Sequence, residues 1–136
     1  MPKPTPVQVL RDEGPPAFAF LVERHDFLGP ELVDDGFLFH RPDLRISVSS
    51  WAWKGERGFT TTVSLPDLAM SADLSCLYVA CGLGPAQAVG GSTGTAHVVR
   101  KRIAEHAAAL GRVVVRLDGP ERIDLVRRCR GRSLPD

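Results

Sequence analysis

The sequence lacks most of the features from which a function can be read directly. Its 136 residues include three cysteines, with no Cys-x-x-Cys pair, and four scattered histidines. These spacings predict neither a disulfide framework nor a metal site, and they suit a reducing, cytoplasmic compartment. No run of about 18 apolar residues predicts a membrane-spanning helix, and no apolar segment follows Lys3 as it would in a signal peptide. The net charge of +1 gives no overall attraction to nucleic acid or to a membrane, so we expect neither as a partner.

Catalytic signatures are also missing. The glycine-rich stretch of the chain has no P-loop lysine, and Gly82, Gly84 and Gln87 lack the third glycine of a dinucleotide-binding turn. Carboxylates such as those of Asp34 and Asp35 lie beside glycine and proline, where a solvated loop is expected instead of a buried acid–base pair. We therefore assign no catalytic residue and no cofactor, and we expect a protein that is not an enzyme.

The composition is that of an ordinary globular domain. Hydrophobic residues make up 43% of the chain and charged residues 24%, which is enough to build a core without a covalent staple. Prolines are dense in residues 1–15, which we interpret as a lead-in with one short extended piece at Val7–Leu10. A single α+β domain is expected over residues 16–130, followed by a basic tail over residues 131–136.

The most regular pattern lies in the second half of the chain. Apolar residues recur every three or four positions over residues 96–117, which predicts one stripe of a helix about six turns long. The basic residues of this segment and His106 fall largely off the stripe. Thr93 or Thr95 is the predicted N-cap. The β-branched residues near the end leave a short strand over Val113–Leu117 as an alternative.

The first half of the chain is predicted to supply an antiparallel sheet. Apolar and polar residues alternate over Leu44–Lys54, as in a half-buried strand. A run rich in threonine and valine predicts a second strand over Phe59–Leu65, and the apolar run Phe37–His40 predicts a third. Short turns between them favour a meander of three or four strands.

Shorter helices are predicted to flank this sheet. One covers Ala17–Asp26, one covers Leu74–Cys81 and ends at Gly82, and a last one begins at Pro120. A buried strand over Leu74–Ala80 is the alternative for the second. The fold class is thus α+β, with the long helix covering the meander. The predicted core residues are Leu44, Ile46, Val48, Val63, Leu77, Val99, Ile103 and Leu110.

Five residues are the candidates for a partner-binding surface. Trp51 and Trp53 share one side of the central strand with Arg45, and tryptophan and arginine are enriched in binding hot spots. Asp34 and Asp35 supply an acidic loop that could dock a basic partner. The alternative interpretation is that both tryptophans belong to the core or its rim.

A second hypothesis is a domain, or a minor enzyme, that binds a small ligand or a nucleotide phosphate at the start of the long helix. The candidate anion-binding residues are Gly91, Ser92, Thr93, Gly94, Thr95 and Arg100, because backbone N–H groups at a helix N-terminus bind anions. A plain flexible connector over Gly90–Thr95 is the alternative. Weak nucleic-acid binding through Arg127–Arg132 is a third hypothesis.

The order of elements resembles a known group of proteins. Phe37–His40, the Arg45–Trp53 strand, residues 74–84 and the helix over residues 96–117, about half of the chain, follow a pattern similar to small bacterial α+β proteins of unknown function, some of them immunity-protein-like. This resemblance implies a non-enzymatic protein-binding domain, and in its narrowest form an inhibitor of a toxin. A second copy of this chain, paired through a sheet edge or the tryptophan face, is the other partner left open.

Overall fold

A computed structural model of the chain describes residues 5–129. The predicted basic tail over residues 131–136 lies outside these residues. The helices are α1 (Pro6–Ala17), α2 (Phe20–Arg24), α3 (Leu74–Ala80), α4 (Ala96–Leu117) and α5 (Arg122–Cys129). The strands are β1 (Leu28–Val33), β2 (Gly36–Arg41), β3 (Leu44–Trp53), β4 (Glu56–Leu65), β5 (Met70–Asp73) and β6 (Ser92–Thr93).

The strands form one antiparallel sheet in the order β1-β2-β3-β4-β5. The two-residue turn between β3 and β4 uses Lys54 and Gly55, both at positive φ, which matches the twist of the strands that they join. β6 pairs with the start of β4, at Arg57 and Gly58. The α+β class and the antiparallel sheet are confirmed, but the prediction of three or four strands was too low. β1 was missed because the sequence Gly29-Pro30 suggested a break, and β5 and β6 are only four and two residues long.

The helices pack on one face of the sheet. On β3 the buried residues Leu44, Ile46 and Val48 face the helices, and the residues between them are exposed or half-buried. α4 has the predicted bounds, and the Thr95 hydroxyl accepts a hydrogen bond from the backbone N–H of Val98 as its N-cap. All eight predicted core residues are at most 4% exposed.

The predicted lead-in is instead a helix. Residues 6–17 form α1, and no extended piece occurs at Val7–Leu10. Thr5 and Gln8 form a capping box, and Pro6 occupies the first turn, where its missing N–H costs nothing. α1 buries Val9 and Leu10, so tertiary packing outweighs the high proline content. The predicted helix over Ala17–Asp26 shortens to α2.

The two segments with open alternatives are both helical. Leu74–Ala80 is α3, and Gly82 beyond it has a φ of 72°, as predicted for a residue that ends a helix. Val113–Leu117 continues α4, because Val113, Val114 and Leu117 are fully buried against the rest of the core. Burial here outweighs the weak helix propensity of valine.

The cysteine spacing predicted no disulfide framework, but the structure contains one disulfide. Cys76 of α3 and Cys129 of α5 form a disulfide across a sequence separation of 53 residues, and Cys81 is free. The sequence spacing could not show this, because the two helices become neighbours only in the folded chain. The compartment inferred from cysteine usage therefore loses its basis. None of the helices within residues 5–129 combines the length and apolar character needed to cross a membrane.

A network of charged residues joins the turn after β2 to the helix ends. Arg41 donates hydrogen bonds to Asp43 at 2.7 Å and to Asp118 at 2.6 Å, and Arg122 donates to Asp43 at 2.6 Å. The Nδ1 atom of His25 lies 2.9 Å from Asp118. Burial raises the pKa of Asp118, but the hydrogen bonds from Arg41 and His25 outweigh it and hold that pKa below its usual value. These paired charges stabilise the fold and leave no carboxylate here free for a partner.

Candidate functional site

The face of the sheet opposite the helices is the most distinctive surface of the described chain. We call it the open face and define it by Arg45, Ser47, Ser49, Trp51 and Trp53 of β3 with Thr60, Thr62 and Ser64 of β4. None of these eight side chains is fully buried. Serine and threonine at its centre are ordinary for a sheet face in contact with solvent. The two large aromatic side chains at one end are unusual for such a face.

The two tryptophans differ in their surroundings. Trp51 is half-buried and lies over Gly58 of β4, where a Cβ atom would collide with the indole ring. Trp53, at the end of the strand, is 69% exposed, and the Lys54 ammonium sits 5.7 Å from its ring centroid. The alternative that both tryptophans belong to the core or its rim does not describe Trp53, which is free to contact a partner, but it is compatible with half-buried Trp51.

The acidic turn lies beside the tryptophan end of the open face. Asp34 and Asp35 connect β1 to β2, and the carbonyl of Asp35 accepts a 2.7 Å hydrogen bond from the N–H of Ser50. This bond continues the pairing of β2 with β3 and places the turn next to Trp51. Both aspartates are exposed. The structure thus brings four of the five candidate residues to one end of the sheet.

Arg45 does not join them. It lies six positions before Trp51 on β3, which corresponds to roughly 20 Å along an extended strand. It is exposed and is paired across the sheet with His40 and Ser64. An interface that includes Arg45 and Trp53 must span the length of the open face.

The candidate anion-binding loop is occupied by structural contacts. Ser92 and Thr93 form β6, and the carbonyl of Gly91 accepts a hydrogen bond from Phe59. The Thr95 hydroxyl caps α4, and Arg100 turns away to form a 2.9 Å ion pair with Glu13 of α1. Gly94 remains exposed. The loop therefore resembles neither a free phosphate cradle nor a plain flexible connector.

His106 was placed wrongly by the sequence pattern. It is 2% exposed and lies in the core, where both of its ring nitrogens form hydrogen bonds. The tautomer with hydrogen on Nε2 donates to the Gly90 carbonyl at 2.9 Å, and Nδ1 accepts from the Thr61 hydroxyl at 2.8 Å. A cavity of about 80 Å³ beside it is also lined by Asp73 and Ser75. Burial raises the pKa of Asp73, an effect that a hydrogen bond from Thr62 partly offsets. With both nitrogens engaged, His106 is a structural residue and not a free general base.

Sequence analysis missed an apolar groove at the β1 edge. The groove has a volume of about 370 Å³ and lies between Pro15 and Pro16 of α1, Val22 of α2 and Pro30 of β1. Leu28 and Leu32 of β1 do not line the groove and are 64% and 53% exposed. No sequence pattern indicated this groove, because its lining residues come from α1, α2, β1 and β2, which meet only in the folded chain.

The described residues contain no group of three or more histidine, cysteine, aspartate or glutamate side chains that could hold a metal ion. In comparisons with known proteins, no protein-family model, no curated protein and no solved structure matches the chain. The resemblance to immunity-like proteins stays a prediction.

Proposed function

We propose that this chain is a non-enzymatic protein-binding domain that contacts its partner through the tryptophan end of the open face. The observation that carries the proposal is the 69% exposure of Trp53 at the end of a sheet face on which no described helix packs. Burying an indole side chain is favourable relative to leaving it in water, so covering Trp53 with a partner surface contributes hydrophobic free energy to binding.

The surroundings of Trp53 have the composition of an interface. Half-buried Trp51 lies beside Trp53 on the same face. The exposed side chains of Asp34, Asp35 and Lys54 supply charges of both signs around the two tryptophans. Protein interfaces commonly combine an aromatic centre with a polar rim, in which the charges select the partner more than they add affinity.

The narrowest form of the proposal is an immunity-type inhibitor. Such a protein acts by covering the working surface of a toxin, so it needs shape and charge but no catalytic group. The absence of an assigned catalytic residue is compatible with this mode of action and also with many other binding proteins. An immunity-type inhibitor is distinguished from other binding proteins by measuring the activity of the captured partner with and without this chain. The inhibitor lowers that activity.

Affinity capture from the lysate of the source cells tests the proposal. The wild-type chain is compared with Trp53→Ala and with Val115→Ala, in which an apolar residue on α4 that is 60% exposed is truncated. We expect one stoichiometric partner with the wild type and with Val115→Ala, and a loss of about tenfold or more in affinity with Trp53→Ala, typical of a hot-spot tryptophan.

A third variant locates the surface. Leu32→Ala truncates an exposed side chain of β1 that is paired with buried Phe37 of β2 and so lies on the other side of the sheet from the open face. A partner that is lost with Leu32→Ala and retained with Trp53→Ala would contradict the proposed surface. Capture of no stoichiometric partner by the wild type would contradict the proposed function itself.

A further inference from the structure

A cleft lies mainly on the other side of β3 and β4 and shares one residue, Trp51, with the open face. It has a volume of about 270 Å³, close to the lower end of the range of roughly 300–1,000 Å³ that small-molecule sites occupy. Leu10 of α1, Phe59 of β4 and Val99 of α4 give it an apolar lining, and Trp51 also borders it.

Three polar side chains that line this cleft, those of Ser50, Arg57 and Thr93, form no hydrogen bond or ion pair among residues 5–129. Arg57 is exposed and forms no ion pair among residues 5–129. Thr93 of β6 is only 7% exposed, and its hydroxyl has no hydrogen-bond partner among the same residues. Among residues 5–129 the only fully buried side-chain polar atom without a partner is Nε of Arg11, so the Thr93 hydroxyl reaches solvent and is available to a ligand in the cleft.

The sheet register places the side chains of Arg57 and Thr93 together. Arg57 and Thr93 are directly paired across β4 and β6, and side chains of such a pair leave the same side of the sheet about 5 Å apart. The N-terminus of α1 also borders the cleft. It offers few polar groups to a ligand, because the side chains of Thr5 and Gln8 already accept hydrogen bonds from each other's backbone N–H groups. The polar end of the cleft is therefore a cation beside a hydroxyl.

We propose that the cleft binds a small carboxylate with an apolar body. Arg57 pairs with the carboxylate and Thr93 donates a hydrogen bond to it, because a guanidinium and a hydroxyl are both donors suited to carboxylate oxygens. Pro6, Val7 and Ala52, which also line the cleft and keep exposed surface, contact the apolar body. The cleft shares Trp51 with the open face but does not include Trp53, so substitutions of Arg57 and of Trp53 test the two proposals separately.

Titration calorimetry with simple probes tests the proposal. The probes are phenylacetate and isovalerate, each compared with its neutral amide. We expect at least one carboxylate to bind saturably and about tenfold or more tightly than its amide, a difference of about 1.4 kcal/mol. Arg57→Gln should abolish the preference for the acid over the amide. Thr93→Val, which keeps the shape of the side chain, should weaken carboxylate binding severalfold.

Two control variants keep the outcomes distinct. Arg45→Gln makes the same change on the open face, and Trp53→Ala removes the proposed protein anchor, so neither should alter carboxylate binding. Melting temperatures of all variants verify that they fold. Absence of saturable binding by either carboxylate, equal binding of acid and amide, or an equal effect of Arg45→Gln and Arg57→Gln would overturn the proposal.

Discussion

At the scale of single residues, buried polar groups and glycines decide how closely the elements approach. His106 links α4 to β4 and to the segment before β6, and Gly36 allows β2 to lie against the Val48 carbonyl, which a Cβ atom would strike. Neither role was visible in the sequence. The helical period placed His106 off the apolar stripe, and a glycine in a strand does not reveal its neighbour.

The titration of His106 should appear in the stability of the protein. Burial is the largest influence and lowers the pKa of His106, although its hydrogen bond to Gly90 acts in the opposite direction. An unfolded histidine protonates near pH 6.5, so the stability that neutral His106 contributes is complete above about pH 6.5 and is lost as the pH falls below it.

Urea unfolding at about pH 7.5 and about pH 5 measures this contribution. His106→Gln should lower the free energy of unfolding by about 1–3 kcal/mol at the higher pH, and its further loss on acidification should be smaller than that of the wild type. His97→Gln, on the exposed side of the same helix, is the control. An unchanged acid dependence in His106→Gln would show that other groups cause it.

Gly36→Ala tests the close approach of β2 and β3. The added methyl group must displace the Val48 carbonyl, so we expect a loss of about 1–3 kcal/mol in the free energy of unfolding. Gly94→Ala meets nothing within 4 Å and should change stability by less than about 0.5 kcal/mol. Equal effects of the two substitutions would contradict the register of this strand pair.

At the scale of elements, long periodic segments were predictable and short edge elements were not. α4 has 22 residues and β3 has ten, and each shows its period several times. β1 contains Gly29 and Pro30, and α1 contains proline in its last turn, so local composition opposed both elements. Pairing with β2 and burial against α4 supply the stability that the local sequence does not.

The disulfide between Cys76 and Cys129 joins helices α3 and α5. In the chain-entropy model, closing a loop of 53 residues in the unfolded chain raises the free energy of unfolding by about 4 kcal/mol. Measured effects of disulfides on that free energy are commonly about 2–4 kcal/mol. We expect a reductant to lower the melting temperature of the wild type and of Cys81→Ala, but not to lower that of Cys76→Ala further. A wild type insensitive to reductant after verified thiol release would contradict this contribution.

At the scale of the whole molecule, the one-sided helix layer creates the two proposed sites. The helices bury one face of the sheet and leave the tryptophan end of the other face in solvent, while the cleft forms where α1 meets the β3–β4 hairpin. Alternation in β3 predicted that Trp51, Trp53 and Arg45 share a face. It could not show which face is covered, because both contain apolar residues.

Truncating the exposed anchor should leave the fold intact. Trp53 contributes little burial, so Trp53→Ala should change the melting temperature hardly at all, whereas Trp51→Ala removes the ring packed over Gly58 and should lower it by several degrees. Thermal unfolding of both variants measures this difference. Equal destabilisation would mean that Trp53 is a packing residue and unsuited to anchor a partner.

Amide hydrogen exchange of the chain with and without its captured partner tests the proposed binding surface most directly. We expect slower exchange in the partner complex at Asp34–Asp35 and along Trp51–Gly58, with α4 and the β1 edge unchanged. Protection confined to Leu28–Val33 or to α4, with the tryptophan end exchanging as in the free chain, would contradict binding through the open face.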